Sequence, residues 1–332
     1  MQKGNVVAEV PKKISKNVEM TGERTRAYDF WRANLSLDFI GLPFVEYARL
    51  PTKSWPRFTI NAVVLPSWIE NSSQQAIDAT MANSHGSSKS IISSIEMGVL
   101  LKDVPIFDLY IDHHLRVFEY RRLGAKSSHR VDSKEFIEKV LIQKPEPNVS
   151  PFSFEKESAS EAYSVWHRSA MPSSAGVMDI DFVELRNGVP VALIEATKAN
   201  SEDLEYGLFS FLSRGFAQAS IYIQLAELLS TDAYVVTYTD QMQKVEVLKL
   251  SRAMISHIDD FDRKRQQRAK AHLESNAAKN RSQAQGMAVS ELFADGGHEF
   301  LRGLGKQRRK WAIDEYVDWL TNKAPLRTRD GT

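Results

Sequence analysis

The chain has 332 residues, 42% of them hydrophobic, with 6 Trp and 16 Phe. That is ample for packed cores, and two domains are the natural prior at this length. No run reaches the length of a membrane span and no hydrophobic leader opens the chain. The lack of cysteine excludes disulfides, thiolate zinc sites and a cysteine nucleophile, and fits a cytoplasmic setting. A net charge of +1 gives no global pull toward nucleic acid, so any such affinity must come from local clusters.

The first twenty residues are polar and lysine-containing and read as a loose tail, 1–20. Residues 21–143 read as an N-terminal α/β domain. Its strands are expected at 42–49, 57–65, 107–111 and 115–120, with a Ser-, Gln- and Asn-rich loop over 71–89. Asp112-His113-His114 falls in a hairpin turn and reads as an exposed polar turn before a metal site. A short amphipathic helix over 131–141 closes the domain. The proline-rich stretch beginning Lys144-Pro145-Glu146-Pro147 suits an extended linker over 144–152.

Residues 153–323 read as a second α/β unit. It opens with a helix over 154–168 carrying Glu155, Glu157 and Glu161, with His167 and Arg168 at its end for a phosphate or for the helix dipole. Two apolar, β-prone runs then flank Arg186-Asn187-Gly188, and Asn-Gly is a strong hairpin signal. Polar residues interrupt those runs: Asp179 and Asp181 in the first, Glu195 and Lys198 at the end of the second. Acids set across a hairpin from an acid and a lysine suit magnesium-dependent phosphodiester chemistry. Carboxylates hold a hard cation, and cation and lysine together stabilise phosphate charge and activate a water. An apolar helix follows from 203 to about 230, then strands at 233–238 and 244–249.

Basic residues cluster next. Arg263, Lys264, Arg265, Arg268, Lys270, Lys279 and Arg281 face one acid, Glu274, and read as an exposed basic helix. Lys306, Arg308, Arg309 and Lys310 form a second run. Together they mark a basic helical insertion over 259–305 and its exit, suited to a nucleic-acid backbone. A helix over 312–320 ends the unit. No phosphate-binding glycine loop, Gly-x-Ser-x-Gly elbow or HExxH spacing points to other chemistry.

The order of these elements, with Asp181, Glu195 and Lys198, resembles the core of the PD-(D/E)XK nuclease superfamily. Asp181 matches the first acid best, with Asp179 as the alternative; Glu195 matches the second acid and Lys198 the lysine. Gln218-x-x-x-Tyr222 resembles the extra motif of the RecB-like branch. The resemblance implies a restriction-endonuclease-like mixed sheet flanked by helices in the C-terminal half. It implies a deoxyribonuclease dependent on Mg2+ or Mn2+, with metal held by Asp181 and Glu195, aided by Asp179 or Glu161, and Lys198 as catalytic lysine. DNA would be met by Gln218, Tyr222, Arg263, Lys264, Arg265, Arg268, Arg308, Arg309 and Lys310. It also implies a homodimer or a subunit of a larger DNA-processing or defence complex. One departure is visible: Glu-Ala-Thr-Lys is a residue longer than the family's usual Glu-x-Lys. Strand alternation sets Lys198 away from Glu195 unless a bulge re-aims it. A nucleic-acid-binding subunit without cleavage and a structural or regulatory assembly protein are the alternative functions.

The halves also resemble each other. The strands at 42–49 and 57–65 parallel those either side of Asn187-Gly188, and 107–111 with 115–120 parallel 233–238 with 245–250. Leu42 and Pro43 stand near the positions of the first acids and Val64 near that of Glu195. The N-terminal half is therefore expected to be a degenerate, pseudo-nuclease copy without the metal site.

Overall fold

The computed structural model describes residues 38–52, 54–69, 104–114, 116–141, 159–172, 174–186, 189–199, 203–239 and 244–322. The expected tail, the 71–89 loop, the 144–152 linker, Glu155 and Glu157 lie outside the described residues. No helix among the described residues is long and apolar enough to cross a membrane.

Among the described residues, ten strands form a single mixed sheet. In the first half they are β1 (Asp38–Arg49), β2 (Phe58–Trp68), β3 (Ile106–Ile111), β4 (Phe118–Arg122) and β5 (His129–Val131). In the second they are β6 (Ala175–Arg186), β7 (Val189–Lys198), β8 (Asp232–Tyr238), β9 (Lys244–Lys249) and β10 (Arg308–Ala312). Across the sheet they run β10-β9-β8-β7-β6-β1-β2-β3-β4-β5. The helices are α1 (Ser133–Lys139), α2 (Ala159–Ala170), α3 (Leu204–Arg214), α4 (Phe216–Leu228), α5 (Ile255–Glu274), α6 (Arg281–Leu292), α7 (His298–Gly303) and α8 (Ile313–Asn322). Asp132, Asp203 and Asn280 start α1, α3 and α6 by accepting the amides of Glu135, Tyr206 and Gln283. The single helix expected from 203 to 230 is two. Gly215 separates them; a Cβ there would lie 2.9 Å from the Phe211 carbonyl oxygen. Helices fill the chain from Ile255 to Gly303, between β9 and the edge strand β10.

Alternation of side chains sorts the sheet into two faces. Val45, Val63, Val183, Leu193 and Val235 share a front core with α3 and α4. On the back, Phe44 and Phe118 pack with Phe136 of α1 and Trp166 of α2, while Phe182 and Ile194 pack with Tyr316 of α8. Phe118 and Phe182 are buried; a fully buried side chain of this kind contributes roughly 1.5–3 kcal/mol.

The two halves carry the same register. Phe44, Val45 and Glu46 face Val64, Val63 and Ala62, and the pairing shifts directly after Glu46. Phe182, Val183 and Glu184 face Ile194, Leu193 and Ala192, and the pairing shifts directly after Glu184. In both halves the next connection is parallel and the one after it antiparallel. The central β1–β6 ladder repeats on itself: Phe39↔Glu184 is mirrored by Glu46↔Val177, and Ile40↔Val183 by Val45↔Met178. Leu42 pairs with Ile180, its own equivalent, so a pseudo-two-fold axis passes there, normal to the sheet. Counting from Phe44 and Phe182 sets Pro43 in the place of Asp181. The partner register sets Leu65, rather than Val64, in the place of Glu195.

Candidate metal and phosphodiester site

Asp181 owes its position to an irregularity at the centre of the sheet. Between Ile40↔Val183 and Leu42↔Ile180, β6 carries Asp181 and Phe182 where β1 has only Gly41. Such a bulge re-aims a side chain. The β6–β7 ladder ends at Phe182↔Ile194, and beyond it Asp181 Oδ2 accepts the amide of Ala196 at 2.9 Å.

Glu195 comes from β7, and Tyr222 reaches it from α4. The Tyr222 hydroxyl donates to Glu195 Oε2 at 2.6 Å and accepts the Asp181 amide at 3.2 Å. Both acids are nearly buried, Asp181 at 6% and Glu195 at 7% exposure, and Tyr222 at 0% is sealed. Burial, then the charges of Glu195 and Asp181, push the Tyr222 phenol well above its ordinary range. Tyr222 is therefore a fixed donor, not a base. Burying two carboxylates is costly unless each is hydrogen-bonded, and these contacts supply part of that compensation.

The other expected residues fall as follows. Asp179 is half-buried on β6, two residues before Asp181, and Gln218 is half-buried one turn before Tyr222. Glu161 is on α2, its side chain outside the described residues. The β7–β8 ladder runs without a shift from Ala192↔Asp232 to Lys198↔Tyr238. No bulge in it re-aims Lys198, which shares strand parity with Ile194 and Ala196 of the back core and alternates with Glu195.

His167 does not reach toward phosphate. It is buried, with Nε2 2.7 Å from Glu46 Oε2, while the Tyr163 hydroxyl donates to Glu46 Oε1 at 2.8 Å. The turn at Asp112 is a polar turn: its carboxylate accepts the amides of Arg116 and Val117, and His113 stacks on Trp68.

The basic residues divide. Arg263 and Lys264 are exposed, both paired with Asp260. Arg265 is buried: it donates to the Ser213 carbonyl at 3.0 Å and pairs with Asp262 at 2.6 Å, tying α5 to the end of α3. Arg268 pairs with Asp295 at 2.7 Å. Arg309 is exposed with its guanidinium 5.8 Å from the Trp311 ring centre. Arg308 pairs with both Glu205 and Glu246, and Lys310 with Glu205 at 2.7 Å.

That last cluster was not visible in the sequence, because its members come from α3, β9, α7 and β10. His298 Nδ1 lies 2.8 Å from Glu205 Oε2. Burial opposes ionisation of Glu205, yet hydrogen bonds from Lys310, Arg308 and His298 outweigh it and hold the carboxyl at about 2. Glu46 could have been noticed, since Phe-Val-Glu occurs in both halves.

Among the described residues no group of three or more His, Cys, Asp or Glu is arranged to hold a metal ion. Mg2+, however, keeps several waters and is commonly held through one or two carboxylates plus substrate phosphate. The oxygen-only pair Asp181 and Glu195 fits that donor demand. Comparison with family models, with curated proteins and with solved structures returns no match.

Proposed function

We propose that this protein is a metal-dependent deoxyribonuclease of PD-(D/E)XK type, with Asp181 and Glu195 as the metal-holding acids. The observation that carries the reading is that the sealed Tyr222 hydroxyl bonds both the Glu195 carboxylate and the backbone amide of Asp181, whose own carboxylate accepts the amide of Ala196, the residue after Glu195. The run α2, β6, β7, α3–α4, β8 supports it, because the resemblance implies a helix, a hairpin with the acids, a helix and a parallel strand. A bound Mg2+ or Mn2+ would polarise the phosphate and lower the pKa of an attacking water. Asp181 and Glu195 would hold it. Tyr222 fixes the orientation of Glu195. Exposed Arg263, Lys264 and Arg309 supply backbone contacts to DNA, and the first half serves as a degenerate copy that positions substrate.

Lys198 favours a second reading, a nuclease-fold subunit that binds DNA without cutting, because its parity sets it apart from Glu195. Cleavage of plasmid and single-stranded DNA with Mg2+ or Mn2+ decides between them. Wild type is expected to cut and Glu195→Ala to lose both cutting and calorimetric metal binding. Loss of cutting in Lys198→Ala would give the lysine its catalytic role despite the unbroken ladder. Cutting that survives Glu195→Ala sinks the site, and DNA bound but uncut by wild type selects the second reading.

A further inference from the structure

We infer that one copy of this chain nicks a single strand of duplex DNA in each binding event; this rests on the nuclease reading above. The sheet is built as two equivalent halves about the β1–β6 ladder, down to matching shifts after Glu46 and Glu184. Even the bulge is doubled: β1 carries Pro43 and Phe44 where β6 has only Asp179, as β6 carries Asp181 and Phe182 where β1 has only Gly41. A scaffold repeated so closely would offer two acid pairs if both halves kept them. The residues at the equivalent positions are Pro43 and Leu65, neither able to hold a cation or orient a water. The chemistry belongs to one half alone.

Each hydrolysis joins one water oxygen to phosphorus and breaks one P–O ester bond, and a proton ends on the leaving oxygen. Cutting both strands needs two such events, hence two acid pairs or a second engagement. A second copy is not readily recruited through the sheet centre, because β1 and β6 already occupy each other's edges. Among the described residues the edges left are β5, three residues long, and β10, which carries Arg308, Arg309 and Lys310. A two-fold contact of the kind that joins identical subunits is made here inside one chain.

The test is the time course of supercoiled plasmid cleavage by the full chain with Mn2+, at several protein concentrations, with Glu195→Gln as control. Supercoiled DNA is expected to convert fully to open circles before linear DNA appears, at an initial rate proportional to protein, with no conversion by the control. Linear DNA from the first time points overturns the inference and leaves the nuclease reading standing. A rate that rises with the square of protein concentration overturns it too, since two copies would then act together. Absence of any product from wild type on any DNA overturns the nuclease reading, and the inference with it.

Discussion

Tyr222 shows what a sequence pattern can and cannot say about a single residue. Its place four residues after Gln218 makes it a candidate for DNA contact, but does not say where its ring lies. Burial decides that: a side chain with 0% exposure does not lie on the surface, and its hydroxyl donates to Glu195. Tyr222→Phe keeps the ring and removes the hydroxyl, leaving Glu195 Oε2 without this donor and the Asp181 amide without this acceptor. The expected cost in urea unfolding is about 1–3 kcal/mol. Metal affinity is expected to fall by about 10–100-fold, as when other groups that orient metal ligands are removed. A variant that loses stability while binding metal unchanged, by calorimetry, would make Tyr222 a packing residue only. Leu65 was less accessible than Pro43, which the paired strands already set near the first acids. Sequence comparison set Val64 opposite Glu195, and only the strand register, which depends on the shifts after Glu46 and Glu184, moves the match to Leu65.

Most elements were legible because hydrophobic period survives in the chain: the strands at 106–111, 232–238 and 244–249 lie within a residue of expectation. Two features were not. Gly215 splits an otherwise continuous apolar helix, a matter of backbone that periodicity does not register. Arg265 looks like one more cation on a basic helix, and only the approach of Ser213 makes it a tie between α5 and α3. The Glu205 cluster ties elements in the same way, joining α3 to β10 through Arg308 and Lys310 and to α7 through His298. Its acid is held at about 2, below the unfolded value of about 4.3. Such a depressed acid adds stability that is full above the unfolded value and is lost as pH falls through the folded one. Glu205→Gln should therefore lower the melting temperature near neutrality, and the gap from wild type should close as pH falls from about 4.3 toward 2. A gap that stays constant over that range would mean the cluster contributes nothing through charge.

For the whole molecule, the sequence suggests two units either side of a proline-rich stretch, and the repeat between them is visible in paired strands. What could not be read is that the units share one ten-stranded sheet. That pairing joins β1 to β6, strands more than a hundred residues apart, and no local pattern encodes it. With the front core running from Val45 and Val63 to Val183 and Val235, neither half can open without exposing the other. Intrinsic fluorescence and far-UV circular dichroism should report one coincident urea transition; two separated transitions would show the halves coming apart independently. A sheet this wide must also stop somewhere. An open edge invites a strand from a neighbouring molecule, and charge or brevity discourages it. Here one border is three residues long and the other carries the ion-paired Arg308 and Lys310 with exposed Arg309 between them. Both margins are therefore poor templates for the edge-to-edge pairing by which a broad sheet would otherwise grow from one molecule into the next.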